Sequence, residues 1–219
     1  MNSRLAASIL AIWLAGVVWA VFYLLPPVAG LGYLVRIAFF HIPVAWVSVL
    51  AFLVAAVAAG LYLRTRRRSY DYLSACSARL GFGFCLLATV SGAVFAKLTW
   101  GAYWNWDPRQ TTVFILLLIY GAYLALRLAI EEEARRAAVS AVYALLSFLT
   151  VPFLVFIIPR MYFSLHPEPV LNSSGTVAME PVMLAVLLAA LAGGTGLYCL
   201  LLARGVSRTA ALARKGLPI

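Results

Sequence analysis

The segment Trp100-Gly101-Ala102-Tyr103-Trp104-Asn105-Trp106-Asp107-Pro108-Arg109 lies between two long apolar stretches of the chain. It contains three of the six tryptophans. Tryptophan is common at a bilayer interface, because its ring is apolar and its N–H is polar. Three in one short loop exceed what an interfacial belt needs, and a flat array of aromatic faces suits a large planar ligand such as a porphyrin. The segment therefore predicts an aromatic binding loop between two membrane helices.

The composition of the chain predicts a polytopic membrane protein. Of its 219 residues, 65% are hydrophobic and 11% are charged, which is more apolar surface than a soluble domain buries. A helix needs about 20 apolar residues to cross a bilayer. Six apolar segments are candidates, at residues 5–25, 42–63, 80–98, 111–126, 137–158 and 182–203, of which 111–126 is the shortest. We expect a single all-α domain over residues 1–219, folded as a bundle of six transmembrane helices.

The distribution of the basic residues predicts the orientation of the bundle. The formal net charge is +10, but arginine and lysine flank the apolar stretches instead of forming one stripe, which argues against nucleic-acid binding. With six spans, thirteen of the 17 basic residues fall on the side of the two termini. The other side holds only Arg36, Lys97, Arg109 and Arg160. The positive-inside rule then places both termini on the cytoplasmic side of the membrane and the tryptophan loop on the outer side.

Small residues and proline carry local predictions. Pro152 should kink the fifth span, which neighbouring helices in a bundle can tolerate. Glycines in the third and sixth spans should permit close helix packing, namely Gly81, Gly83, Gly193, Gly194 and Gly196.

The three cysteines argue against disulfide and thiol-exchange chemistry. We place Cys76 in a cytoplasmic loop and both Cys85 and Cys199 in the cytoplasmic halves of their spans, away from an oxidising compartment. The sequence has no Cys-x-x-Cys pair and no motif for covalent attachment of haem. Any haem would therefore be held non-covalently.

Two histidines are the only imidazoles in the chain. His41 lies in Arg36-Ile-Ala-Phe-Phe-His41-Ile-Pro43, where the second span begins, and His166 lies in Leu165-His166-Pro167, between the fifth and sixth spans. Both are predicted on the side of the tryptophan loop. Because imidazole nitrogen is a standard axial ligand of haem iron, the pair predicts a bis-histidine site. The alternative is that His41 makes a hydrogen bond at a helix start and His166 is a solvated loop residue.

The remaining polar groups leave several functions open. Asp107 precedes a proline, and it can simply cap the fourth helix. Arg36 and Arg109 adjoin the key motifs and could pair with the two propionates of haem, or they could anchor helix ends. No nucleotide-binding loop or metalloprotease motif occurs, so we do not expect an enzyme. A permease subunit that moves a solute, or a haem-bearing electron-transfer protein, stays as an alternative.

The motifs resemble a known family. Trp100-Gly101-x-x-Trp104-x-Trp106-Asp107 is similar to the WWD signature of haem-handling proteins of cytochrome c assembly. The two histidine contexts resemble the haem exporter protein C (CcmC) branch of System I. The resemblance implies that His41 and His166 ligate haem b as a transient cargo and that residues 100–107 form a platform for it. Tyr103 stands where many relatives have another tryptophan.

The same resemblance implies a set of partners. They are the periplasmic haem chaperone CcmE, which would receive the haem, the ABC-type subunits CcmA and CcmB, the small protein CcmD, and membrane lipid.

Overall fold

The computed structural model of the protein describes residues 3–166 and 179–216, and most of them are helical. The helices are α1 (Ser3–Tyr23), α2 (Ala38–Thr65), α3 (Arg68–Trp100), α4 (Pro108–Ala129), α5 (Glu133–Pro152), α6 (Ile158–Met161) and α7 (Pro181–Arg214). A 3-10 turn, Tyr33–Ile37, leads into α2, and a π turn, Phe153–Ile157, joins α5 to α6. Within these described residues, six helical runs are long and apolar enough to span a membrane, which confirms the predicted class and the number of spans.

The connections between the helices gather at two ends of the bundle. We call one the tryptophan end (residues 24–37, 101–107 and 162–166) and the other the arginine end (residues 66–67 and 130–132). A hydrogen bond from Leu165 N to Asp107 Oδ2 joins two connections of the tryptophan end. An ion pair of 2.7 Å between Arg68 Nη1 and Glu133 Oε2 joins the two helices that begin at the arginine end. The tryptophan loop and both histidines therefore share one end, as predicted.

Two helices extend further than the sequence predicted. α3 begins at Arg68 instead of residue 80, and α7 continues to Arg214 instead of residue 203. At 1.5 Å per residue these helices are about 50 Å long, well beyond the roughly 30 Å hydrocarbon core. Hydropathy detects only the part that lipid surrounds, and a charged continuation of the same helix escapes it. One consequence is that Cys76, expected in a loop, is buried within α3.

The centre of the bundle is built around α2, which packs against α3, α5 and α7. Phe52 of α2 is fully buried and stacks on Tyr120 of α4, with ring centroids 3.5 Å apart. Gly81 of α3 makes this possible, because a Cβ there would lie 2.6 Å from Cε1 of Phe52. The glycine thus lets three helices meet at one aromatic pair.

The glycines of α7 hold α1, which is the most peripheral span. A Cβ at Gly193 would lie 2.8 Å from Cδ2 of Leu14, and one at Gly196 would lie 3.1 Å from Cδ1 of Leu10. The prediction of close helix packing is confirmed at Gly193 and Gly196. It is wrong at Gly83, where a Cβ would meet nothing within 4 Å.

The fifth span accommodates Pro152 through a change of helix type. Proline has no N–H to donate and its ring crowds the preceding turn. The π turn Phe153–Ile157 follows directly, and a short α-helical turn then completes the span at Met161. Wider π turns are a known way to absorb such an interruption without ending a helix.

A buried ion pair fixes α3 to α4 near the arginine end. Nη1 and Nη2 of Arg127 donate to Oδ1 and Oδ2 of Asp71 at 2.7 and 3.1 Å, and the two side chains are 12% and 8% exposed. This paired geometry satisfies both carboxylate oxygens, which is the condition under which a buried charge pair is tolerated.

Candidate functional site

The tryptophan loop is set by the way α3 ends and α4 begins. α3 ends at Trp100 and is capped by Gly101, whose φ of 84° lies in the left-handed region that glycine adopts without strain. Lys97 Nζ donates to Gly101 O at 2.9 Å, so this lysine closes the last turn of its helix. α4 begins at Pro108 with Asp107 as its N-cap, and Asp107 Oδ1 accepts from Arg109 N at 2.9 Å. The capping role considered for Asp107 is therefore confirmed.

Capping is only one of the functions of the Asp107 carboxylate. Oδ1 also lies 2.9 Å from Nδ1 of His166. Oδ2 accepts from Ser164 Oγ at 2.9 Å and from Leu165 N at 2.7 Å. The side chain is fully buried, and its acceptors are occupied by donors from the first turn of α4 and from the connection that follows α6. One carboxylate thus ties the start of α4 to the segment that carries a histidine.

The protonation states of the Asp107–His166 pair follow from their surroundings. Burial raises the pKa of Asp107, but the hydrogen bonds from Ser164, Leu165 and Arg109 together with the proximity of His166 hold it below its usual range. Burial lowers the pKa of His166 from 6.5 to about 4, against the opposing attraction of Asp107. At neutral pH the short contact therefore joins a neutral imidazole to a carboxylate. Because a carboxylate only accepts, Nδ1 of His166 carries the hydrogen.

His41 lies in the first turn of α2, where the sequence placed it. Its Nδ1 is 3.0 Å from Ser91 Oγ on α3. The Ser91 hydroxyl donates to carbonyl oxygens of its own helix, Leu87 O at 2.8 Å and Ala88 O at 3.1 Å. Its single hydrogen is thus in use, and toward His41 the oxygen is an acceptor. His41 therefore also carries its hydrogen on Nδ1.

Gly92 provides the space in which the His41 ring lies. A Cβ at this position would be 3.0 Å from Cε1 and 3.5 Å from Nδ1 of the imidazole. Contacts of 3.0–3.4 Å are tighter than ordinary van der Waals packing, so any side chain here would press on the ring. The backbone of α3 and the Ser91 hydroxyl together fix where His41 lies.

His41 and the contact between His166 and Trp100 lie at the same end of the bundle, the tryptophan end. A charge on His41 contributes to lowering the pKa of His166, so the two imidazoles are electrostatic neighbours. The Trp100 ring meets His166 edge-on, with centroids 4.9 Å apart and planes at 71°. Phe95 packs against the other side of this group, with its ring centroid 5.9 Å from that of Trp100. In both histidines Nδ1 is engaged, and His41 also has a hydrogen bond to the backbone of Ala88.

The other aromatic residues of the loop form a second group. Trp104 meets Trp106 and Phe114 edge-on, each with ring centroids 5.7 Å apart, at 86° and 75°. Trp106 is 77% exposed and Tyr103 is 61% exposed. The prediction of a flat aromatic array is therefore wrong for these ring pairs, because their planes are close to perpendicular. The backbone explains this, since Trp106 adopts a left-handed φ of 56° that turns the loop.

The two arginines proposed from the sequence lie in different settings. Arg36, in the 3-10 turn, places its guanidinium 4.2 Å from the ring centroid of Tyr33 and 5.6 Å from that of Phe22. Its Nε is buried and has no hydrogen-bond partner among the described residues. Arg109, in the first turn of α4, interacts electrostatically with Asp107 and Arg160. Cation–π contact positions Arg36 while it leaves donors for another group.

Sequence reasoning missed three residues that shape this site. They are Ser91 and Gly92, which hold His41, and Ser164, which donates to Asp107. Ser91-Gly92 is a small polar pair on the helix that leads into the tryptophan motif, and that position was the available signal. Ser164 lies two residues before His166, and only the fold reveals what its hydroxyl contacts.

Comparison with known proteins decides the family. The model of the family described as Heme exporter protein C matches residues 1–216. The chain belongs to the heme exporter protein C family. Heme exporter protein C of Bradyrhizobium diazoefficiens is 30% identical over 161 residues, which cover 74% of this chain and 61% of the relative. That of Rhodobacter capsulatus is 33% identical over 140 residues, or 64% of this chain and 57% of the relative.

A second set of relatives shares part of the chain. Cytochrome c biogenesis protein CcsA of Atropa belladonna is 38% identical over 96 residues, which cover 44% of this chain and 30% of that protein. The chain spans about three fifths of the length of the heme exporter protein C relatives named above. Membership in this family confirms the resemblance inferred from the tryptophan and histidine motifs, and it leaves the roles of individual residues to the geometry.

Proposed function

We propose that this member of the heme exporter protein C family binds haem at its tryptophan end and passes it on for cytochrome c maturation. His41 and His166 are the two axial ligands of the iron in this proposal. The observation that carries this proposal is that the two imidazoles make the same kind of hydrogen bond. Each has Nδ1 held by an acceptor, which is the arrangement that second-shell acceptors give to metal-binding histidines.

The residues present fit a haem. Two imidazoles from separate segments lie at the same end of the bundle, one of them against the Trp100 ring, so nitrogen donors for iron and an aromatic surface for a porphyrin are both present. Two buried polar atoms near this end, Arg36 Nε and Thr111 Oγ1, have no partner among the described residues. A buried polar atom without a partner is costly, and an anionic propionate would supply what these donors lack. Arg36 and Arg109 are the proposed propionate partners.

Holding without covalent attachment suits a transient cargo. Haem b supplies the iron that the two histidines would ligate, and the protein supplies the ligands and an apolar surrounding. Trp100 contacts His166 and so supports one ligand, whereas Gly101 shapes the turn that follows it. Tyr103, Trp104 and Trp106 form the exposed aromatic part of the loop. Aromatic surface of this kind marks contact sites for partners, and we assign this part to the haem chaperone CcmE.

The location of the ligands also bears on the alternatives. An electron-transfer protein would carry its ligands deeper within the bundle, but His41 is in the first turn of α2 and His166 follows α6. A permease would need a polar path, and Asp71–Arg127 is a closed bidentate pair within its bundle. We therefore propose a haem-handling protein without catalytic activity of its own.

The proposed cellular setting follows from the charge distribution. Thirteen of the 17 basic residues fall on the side of the two chain ends, which supports a location in a bacterial inner membrane with the tryptophan end in the periplasm and both chain ends in the cytoplasm. CcmA, CcmB and CcmD are the proposed further partners, and lipid surrounds the spans.

Spectroscopy of the purified protein tests the ligand assignment. Haem-loaded protein should show a low-spin Soret spectrum, and His41→Ala or His166→Ala should each remove the low-spin form. Adding imidazole to His41→Gly or His166→Gly should restore it, because free imidazole can fill the vacated position. Circular dichroism of each variant confirms that the helices persist. An unchanged low-spin spectrum in the double alanine variant would falsify the two-ligand model.

A further inference from the structure

The two proposed ligands differ in what stands behind them. Nδ1 of His166 is 2.9 Å from the carboxylate of Asp107, and Nδ1 of His41 is 3.0 Å from the hydroxyl oxygen of Ser91. One acceptor is an acid and the other is a neutral hydroxyl. A hydrogen bond to a charged acceptor is roughly twice as strong as one between neutral groups.

The carboxylate is fixed in place on the His166 side. It is fully buried, and both of its oxygens receive further hydrogen bonds, from Ser164 Oγ, Leu165 N and Arg109 N. It therefore cannot rotate away from the imidazole. A carboxylate on Nδ1–H increases the basicity of the opposite ring nitrogen and strengthens its bond to a metal.

The hydrogen bond behind His41 is weaker, because its acceptor is uncharged. The Ser91 oxygen accepts from His41 while its hydrogen is directed at Leu87 O and Ala88 O. This hydroxyl oxygen carries no negative charge that would increase the basicity of the imidazole. Gly92 adds close packing against Cε1 of the ring but no polar contact. His41 is thus well positioned but electronically ordinary.

We propose that this difference sets the order of ligand exchange: Asp107 makes His166 the ligand that stays on the iron, and His41, supported by Ser91, is the ligand replaced when haem leaves. The inference rests on the proposed function. Asp107 and Ser91 act here as positioning residues, since each works through a histidine. The incoming group of a partner would then take the coordination position that His41 vacates, with no change in the charge of the iron.

Carbon monoxide provides the test, because it replaces one axial ligand of ferrous haem and its vibrations report the ligand that remains. Resonance Raman spectra of the carbonyl complexes of the wild-type protein and of His41→Ala should give the same Fe–C stretching frequency, since His166 remains in both. The complex of His166→Ala should differ. A wild-type spectrum that matches His166→Ala instead of His41→Ala overturns the proposal.

The supporting residues are tested in the same measurement. Asp107→Asn keeps a residue that caps helices well, yet it removes the charge, so the Fe–C frequency should rise and haem should dissociate on the order of 10- to 100-fold faster. Ser91→Ala should leave the Fe–C frequency at its wild-type value. A shift with Ser91→Ala and none with Asp107→Asn refutes the assigned order. The comparison of wild type with His41→Ala needs no change at Asp107, so it decides even if Asp107→Asn does not fold.

Failure of this inference is distinguishable from failure of the proposed function. If the histidines do not bind haem, the wild-type protein lacks the low-spin spectrum before carbon monoxide is added. If they bind haem with equal strength, that spectrum is present and the carbonyl complex is a mixture of two forms.

Discussion

Gly92→Ala should weaken haem binding through one methyl group. The new Cβ would lie 3.0 Å from Cε1 of His41 and 3.5 Å from Nδ1, whereas carbon atoms in contact prefer about 3.5–4.0 Å. The ring must therefore retreat by about 0.5 Å, and the hydrogen bond of 3.0 Å to Ser91 opposes that movement. Binding sites need their groups held to within about 0.5 Å. The displacement reaches this tolerance.

We expect the loss in haem affinity to be about tenfold, equivalent to about 1.4 kcal/mol. The measurement is the rate of haem transfer from each purified variant to an excess of a soluble haem-binding acceptor. Gly83→Ala is the matched control, because it lies on the same helix and its Cβ would meet nothing within 4 Å. An alanine in place of a helical glycine stabilises by roughly 0.5–1 kcal/mol, so the control should unfold slightly later and keep its haem. Equal haem loss in both variants, or none in Gly92→Ala, would refute the reasoning.

Three further outcomes test other parts of the molecule. Gly81→Ala should lower the free energy of unfolding by about 1–3 kcal/mol, because its Cβ would lie 2.6 Å from buried Phe52; a thermal melt as high as that of the glycine control would contradict this. Arg127→Met should cost about 3–5 kcal/mol by leaving the carboxylate of Asp71 buried alone, and adding Asp71→Asn should recover part of it; no recovery would mean that the ion pair is not the cause. Arg36→Gln should reduce the affinity for haem more than for haem with esterified propionates, and equal losses in the two titrations would reject the propionate contact.

The fold could be predicted from the sequence to the extent that lipid dictates it. Six apolar stretches gave the six spans, since the bilayer requires about 20 apolar residues per helix. The predicted start of α3 and the predicted end of α7 were wrong, because the segments after Arg68 and before Arg214 are charged but still helical. Outside the hydrocarbon, helix continuation depends on packing between helices, which hydropathy does not measure.

The local roles of some residues at the candidate site could be predicted from the sequence, but their contacts could not. Asp107 before a proline indicates a helix cap, and the structure confirms that local role. Its hydrogen bond to Leu165 joins residues 58 positions apart, and no local pattern encodes such a distance. In the sequence, Ser91 looks like any small polar residue of a span. Its role is apparent only in the fold, where the turn of α2 that carries His41 packs against it.

The link between Asp107 and the segment after α6 has a consequence for biogenesis. Asp107 precedes the fourth span, but Ser164, Leu165 and His166 follow the fifth, so their contacts form only when both spans have been inserted. Before that moment the carboxylate receives a hydrogen bond from Arg109 N of its own helix, and His166 has no acceptor from the loop. The contact thus holds together the ends of two membrane helices once both have been inserted. A chain that stalls before residue 164 has every tryptophan of its loop and His41, yet it lacks the carboxylate-supported ligand.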